Sequence, residues 1–219
     1  MTILAAYCIN LDRRTDRWIE CEDNYQSQGL PPGLIQRWSA CEDAEHGALG
    51  CARSHFAALS NFLTHRYEPF CLIMEDDFDF LRNWNSFAET FNGLLQNQLD
   101  WDVLLLAGTC TIAYPENSLG VARIFESQSA SGYLLQRSYV PMVLHSFARS
   151  IVMLEKFRAN QPREHWVAKF AIDQLWKQLQ HNDRWFISSP VVGHQRPSFS
   201  DIEKKIVDYA ALGFRGVNN

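Results

Sequence analysis

The run Phe70-Cys71-Leu72-Ile73-Met74 leads straight into Glu75-Asp76-Asp77, with Asp79 close behind. Three adjacent carboxylates repel one another unless solvent or a cation neutralises them. Hard divalent cations take oxygen ligands, and Mg²⁺ or Mn²⁺ is commonly held by one or two carboxylates plus substrate phosphates. The acids therefore predict a divalent-metal site. The competing reading, a solvated acidic turn, is about equally frequent for such a run. Glu75 and Asp77 are two apart and share a face if the strand continues through them, while Asp76 points the other way. Asp77 with Asp79 is the alternative pair; Glu75 with Asp77 is preferred here.

Other residues carry weaker signals. Arg13, Arg14 and Arg17 follow the first apolar segment. Arginines there can bind phosphate or carboxylate bidentately, although a solvated first helical turn is the commoner state. Gly47-Ala48-Leu49-Gly50-Cys51-Ala52-Arg53-Ser54-His55 reads as a glycine-flanked helix entry. It matches neither GxGxxG nor a Walker loop, but helix starts bind anions. Ser54 and His55 are adjacent and diverge on a helix, so they do not form a nucleophile and base. Asp173 sits beside an apolar stripe, where a carboxylate can have a raised pKa and act as a base. An ordinary boundary acid is the equal alternative. His194 follows Val191-Val192-Gly193 and is a candidate metal ligand, although a lone histidine is more often structural.

These residues must be positioned by an alternating chain. Ile3 to Ile9 predicts a strand, followed by a helix capped by Thr15 that buries Trp18, Cys21 and Tyr25. Leu34 to Trp38 is a second strand. Leu49, Ala52, Phe56, Leu59 and Leu63 share one helical face. The run ending in the acids is an apolar strand buried on both sides. Trp84 to Leu95 is a further amphipathic helix, and Trp101 to Leu106 a further buried strand. Strand–helix alternation predicts an α/β domain with a mainly parallel sheet and helices on its faces. Ligands in such sheets lie at the carboxyl ends of strands, which is where the acids fall. Beyond Thr109 the expectation is short strands at Val121 to Phe125 and Tyr133 to Gln136 around a polar loop, Glu126 to Gly132. Helices follow at Ser138 to Ala148 and Trp166 to Gln180, then a strand at Trp185 to Ile187. Gly193 to Asn219 is read as a tail folded over the site.

The 219 residues suit one large domain. A 47% hydrophobic and 21% charged composition is that of a globular protein. The net charge of −5 gives no general attraction to nucleic acid or anionic lipid. No apolar stretch approaches a membrane span, and no signal peptide is evident, so a cytoplasmic location is expected. Peripheral membrane contact stays open. The six cysteines form no CxxC pair, which argues against a zinc ribbon or a thioredoxin-type site. Cys8, Cys51 and Cys71 read as small core residues.

Taken in order, several segments resemble glycosyltransferase family 25, which includes bacterial lipooligosaccharide and collagen galactosyltransferases. They are Cys8-Ile9-Asn10-Leu11-Asp12-Arg13-Arg14 with Asp16-Arg17, the Gly47–His55 element, and Leu72-Ile73-Met74-Glu75-Asp76-Asp77. Ser131-Gly132-Tyr133-Leu134-Leu135, Ile172-Asp173 and Ser198-Phe199-Ser200-Asp201-Ile202 complete the set. The resemblance implies a GT-A-type, Rossmann-like fold over residues 1–219. Residues 1–108 would be the nucleotide-sugar-binding half, and 109–219 the acceptor half and tail. It implies an inverting transfer of a hexose, galactose or glucose, from a UDP-sugar to a hydroxyl on a glycan, lipooligosaccharide or protein, with Mn²⁺ (or Mg²⁺) as cofactor. By the same resemblance, Glu75, Asp77 and His194 would hold the metal. Asn10, Leu11, Arg14, Arg17, Gly50, Ser54, His55 and Asp76 would contact the nucleotide-sugar. Asp173 would be the base. The absence of a retention tail or anchor favours a microbial or viral enzyme. A metal-dependent phosphohydrolase and a non-catalytic nucleotide-sugar or glycan-binding protein are the competing functions.

Overall fold

A computed structural model describes residues 4–116, 119–158, 163–200 and 205–208. Its centre is an eight-stranded sheet built from β1 (Leu4–Asn10), β2 (Ile35–Ser39), β3 (Phe70–Glu75), β5 (Val103–Leu105), β6 (Thr109–Glu116), β7 (Val121–Gln128), β8 (Gly132–Gln136) and β9 (Trp185–Ser188). The strand order is β2-β1-β3-β8-β5-β9-β7-β6. The pairs β2–β1, β1–β3 and β5–β9 are parallel. β8 runs antiparallel between β3 and β5, and the β6–β7 hairpin closes one edge. Apart from β8 and β7, the sheet strands share one direction, so the expected mainly parallel α/β architecture is the one observed.

Continuous apolar strands follow from burial on both faces. On one side Ala5, Tyr7 and Ile9 of β1 and Cys71 and Ile73 of β3 pack against α2 (Gly47–His65) and α4 (Val140–Phe157). On the other, Leu4, Ala6, Cys8, Leu72 and Met74 pack against α1 (Thr15–Ser27) and α3 (Trp84–Gln96). The period-2 alternation of side chains sends neighbouring residues to opposite layers. The sheet does not divide at residue 108: β8, from the later half, sits between two strands of the earlier half.

Several local expectations change. Thr15 is the first residue of α1 rather than its cap; the cap position is Arg14, without a side-chain hydrogen bond. β7 continues through Gln128, taking up part of the expected polar loop. The helix expected over Trp166 to Gln180 is three short pieces, α5 (Arg163–Phe170), α6 (Ile172–Leu175) and α7 (Lys177–Asn182). The first break falls at Ala171, whose ψ of 153° is extended. Asp173 therefore lies in the first turn of α6 rather than within a long helix. β3 stops at Glu75, so Asp76 and Asp77 form a turn before β4 (Phe78–Phe80), and the shared-face argument for Glu75 and Asp77 does not apply. β4 pairs with β10 (Gly193–Gln195), and β11 (Ser198–Ser200) pairs with β12 (Lys205–Val207). Asp201, Ile202 and residues 209–219 of the expected tail lie outside the described residues. Among the described residues no helix is long and apolar enough to cross a membrane.

Candidate active site

The carboxyl ends of β1 and β3 and the start of α2 border one open cleft. Leu11, Arg17, Gly50, His55 and the three acids Glu75, Asp76 and Asp77 line it. The loop joining β2 to α2 forms the opposite wall. Gly50 lets that loop lie on the helix: a Cβ there would meet the Cys41 carbonyl oxygen at 2.6 Å. Ser54 secures the same contact. Its hydroxyl donates to the Gly50 carbonyl at 2.7 Å and accepts from the Cys41 amide at 2.8 Å. Ser54 is thus buried and committed to backbone. It lines the cleft and shapes its wall through these two backbone contacts.

Each acid has a different environment. Asp76 is buried between Arg17 and Asn10: Arg17 Nη1 donates to Oδ1 at 2.6 Å, and Asn10 Nδ2 to Oδ2 at 2.7 Å. Burial outweighs these partners and holds the Asp76 carboxyl above its ordinary value. Asn10 is itself filled, accepting from Arg37 Nε at 2.7 Å. Arg17 is buried rather than solvated, and also reaches Ser198 Oγ at 2.9 Å. Arg14 instead pairs with Asp16 at the surface.

Glu75 faces His55. Its Oε1 lies 2.9 Å from His55 Nε2 and accepts from the Cys51 thiol at 3.6 Å. The far nitrogen of His55, Nδ1, is 2.9 Å from the Tyr133 hydroxyl. Burial raises the Glu75 carboxyl, but the His55 hydrogen bond and charge overcome it, so the acid lies below its ordinary value.

Asp77 is the anomalous acid. Gln195 Nε2 donates to its Oδ2 at 3.1 Å, while Oδ1 is buried without a hydrogen-bond partner. Burial, followed by the Glu75 and Asp76 charges, pushes its pKa up to about 7. A buried, unpaired carboxylate oxygen costs free energy unless something neutralises it. An oxygen-preferring divalent cation fits that description, and the neighbouring carboxylates are the donor type it selects. His194 sits opposite Asp79 in the β10–β4 pair, and its Nδ1 is also buried with no hydrogen-bond partner, while its neighbour Gln195 turns to Asp77.

Asp173 approaches from α6. Its Oδ2 accepts from the Ser129 amide at 2.9 Å. Burial raises its carboxyl, the Ser129 N–H opposes the rise, and the Glu75 charge adds to it. Ser129 Oγ also donates to Gln195 Oε1 at 3.3 Å, so one short network links Asp173 to the partner of Asp77.

Several participants escaped sequence reasoning. Cys51, read as core, is half-buried and lines the cleft. Gln195 and Arg196 strap the acid turn, with Arg196 N donating to the Asp77 carbonyl at 2.6 Å and Nη1 to Asp79 Oδ1 at 2.8 Å. Only the ordered motif carrying Tyr133 hinted at the hydroxyl behind His55. Nothing local marked Gln195.

No protein-family model matches the chain, and no curated protein matches its sequence. Among solved structures, the A197 protein from STIV overlays with a TM-score of 0.52 at 9% identity, covering 94% of this chain and 93% of that one. This shows a shared fold. Others fall below a TM-score of 0.5, among them these two. One is a mannose-1-phosphate geranyltransferase from Thermus thermophilus, with TM-score 0.49, 9% identity and coverage of 89% and 75%. The other is a glycosyltransferase involved in the glycosylation of the major capsid of PBCV-1, with TM-score 0.46, 9% identity and coverage of 93% and 97%.

Proposed function

We propose that the chain is a divalent-metal-dependent inverting glycosyltransferase, moving a hexose from a UDP-sugar to an acceptor hydroxyl. The observation that carries this reading is the buried, unpartnered Oδ1 of Asp77 at the rim of a cleft that also holds a helix start. Five carboxylates (Glu42, Asp43, Glu75, Asp76 and Asp77) line that cleft against two arginines, Arg13 and Arg17. A diphosphate entering it meets net repulsion unless a cation lies between. Glu75 and Asp77 would hold that cation, which when bound supplies Lewis-acid stabilisation of charge on the leaving diphosphate. The start of α2, with Gly47 and Gly50 at the cleft, favours anionic groups.

The chain's own groups divide the remaining work. Arg17 and Asn10 fix Asp76 and with it the acid turn. Gly50 and Ser54 set the wall against which the nucleotide lies, and Leu11 offers it an apolar contact. Asp173 takes the proton from the acceptor hydroxyl at Oδ1 or Oδ2, its basicity raised by burial. The acceptor is a glycan, lipooligosaccharide or protein hydroxyl, and galactose and glucose are the sugars to test.

The test is UDP release from UDP-galactose and UDP-glucose, with Mn²⁺, with Mg²⁺ and after chelation. The reading predicts metal-dependent UDP release that Asp77→Asn abolishes. Release of phosphate from simple phosphate esters instead of UDP from the sugar nucleotides would overturn it in favour of a phosphohydrolase. UDP binding by calorimetry without turnover across an acceptor panel would mark a binding protein.

A further inference from the structure

Cys51, His55 and Glu75 form a second constellation within the cleft. Among the described residues they are the group of three His, Cys, Asp or Glu side chains whose potential ligand atoms all lie within 4.8 Å of one another. Their placement follows from two elements. Cys51 and His55 are four apart on α2, so they project from the same helix face. Glu75 is the last residue of β3 and meets them from the sheet.

The geometry points to a site for a thiophilic divalent cation of the zinc type, held by Cys51 Sγ, His55 Nε2 and Glu75 Oε1. Tetrahedral zinc has Zn–S near about 2.3 Å and Zn–N and Zn–O near about 2.0 to 2.2 Å. Those bond lengths place S and O about 3.5 Å apart, and N and O about 3.3 Å apart, along the edges of the tetrahedron. The observed separations are 3.6 Å for Cys51 Sγ to Glu75 Oε1 and 2.9 Å for His55 Nε2 to the same oxygen. Two of the three donor separations therefore lie within a few tenths of an ångström of a coordinating edge, and the third, Cys51 Sγ to His55 Nε2, is within 4.8 Å.

Two further observations favour a metal over a mere hydrogen-bonded cluster. The other ring nitrogen of His55 is 2.9 Å from the Tyr133 hydroxyl, in the fully buried layer behind it. Nδ1–H donating to that hydroxyl would leave the Nε2 lone pair aimed at the cation, the usual outer-shell arrangement for a metal-bound histidine. Cys51, His55 and Glu75 also all line the cleft, so a fourth position faces solvent. Three protein ligands with an open fourth position is the arrangement of a reactive or ligand-accepting zinc site, as distinct from a closed structural one. Thiolate and imidazole donors select zinc-type ions over Mg²⁺ or Mn²⁺. This site goes beyond the transferase reading but shares Glu75 with it, so a zinc ion here would draw Glu75 away from the oxygen-preferring cation.

The experiment reads metal binding alone, so its outcome is independent of any transferase activity. The full chain, reduced and stripped with a chelator, is titrated with Zn²⁺ against a chromogenic competitor, and separately with Co²⁺ under visible and near-ultraviolet absorption. The expected result is one ion per chain and a thiolate-to-cobalt charge-transfer band. Cys51→Ser removes the band and weakens Zn²⁺ at least about tenfold, and Tyr133→Phe weakens Zn²⁺ by about tenfold. Cys41→Ser, at the exposed cysteine on the cleft rim, leaves band and affinity unchanged. Absence of the band in the unmodified chain overturns the proposal, as does loss of the band in Cys41→Ser but not in Cys51→Ser. Because Cys51 is half-buried at the cleft, its serine variant folds more readily than a variant of the fully buried His55, and circular dichroism verifies this.

Discussion

Gln195 Nε2 donates to Asp77 Oδ2 at 3.1 Å, while the other oxygen of the same carboxylate is buried with no partner. One side of the acid is thus tied to a strand more than a hundred residues away in sequence, and the other side has no hydrogen-bond partner. This asymmetry sets the first prediction. The Asp77 pKa of about 7 lies above its ordinary value of 3.8, so the folded chain binds the proton more tightly than the unfolded chain does. In the metal-free protein, stability is therefore greatest at low pH within this window and falls as pH rises from about 4 to about 7. The loss is on the order of a few kcal/mol. Asp77→Asn should flatten that dependence in urea denaturation followed across pH 4.5 to 8, and Mn²⁺ should restore stability at the upper end. A metal-free unmodified chain whose stability rises over this range would contradict the assignment.

Arg17 and Asp76 form a pair whose side chains are each 9% exposed. Removing one member leaves a buried charge, which costs about 3 to 5 kcal/mol. Arg17→Ala should lose that much in chemical denaturation. Arg17→Lys should lose less, since it retains charge while giving up the second guanidinium contact to Ser198. Equal stability of Arg17→Ala and the unmodified chain would show that the turn does not need this pair.

Gly50→Ala puts a methyl group 2.6 Å from the Cys41 carbonyl oxygen, a backbone atom that cannot rotate away. The loop must move, at a cost of about 1 to 3 kcal/mol. If the loop is the nucleotide wall, KM for the sugar nucleotide should rise more than kcat falls. Steady-state kinetics with both UDP-sugars separates the two, and an unchanged KM would remove the loop from the nucleotide site.

Asp173→Asn keeps an oxygen that can accept from the Ser129 amide but removes the proposed base. Turnover should fall by about 10² to 10⁴, while UDP affinity measured by calorimetry stays close to that of the unmodified chain. In the unmodified chain, activity should fall on the acid side as Asp173 is protonated, at a pH above the ordinary aspartate range because burial raises its carboxyl. Turnover unaffected by Asp173→Asn would transfer the base role elsewhere.

The sequence by itself determined the layers and the place of the acids. Apolar runs such as Leu4–Ile9 and Phe70–Met74 have no polar face, so they must lie in a sheet covered on both sides, and the charges that follow must emerge at its edge. Local patterns of this kind are set by solvation, which acts residue by residue. Only the tertiary structure decided which side chains meet. Arg17 looks like any first-turn arginine until Asp76, 59 residues on, reaches it. Ser54 gives no local sign that its hydroxyl ties the Cys41 amide to the Gly50 carbonyl. Asp173 sits where it does because the chain breaks at Ala171, a break the apolar stripe of Ile172, Leu175, Trp176 and Leu179 conceals. β8 enters the middle of the sheet and brings Tyr133 behind His55, and Gln195 rather than His194 faces Asp77 because adjacent strand residues point opposite ways. Pair contacts like these depend on strand order and register, which are long-range choices. That is why the acid run could announce a site in sequence, while the inequality of its three carboxylates came only with the fold.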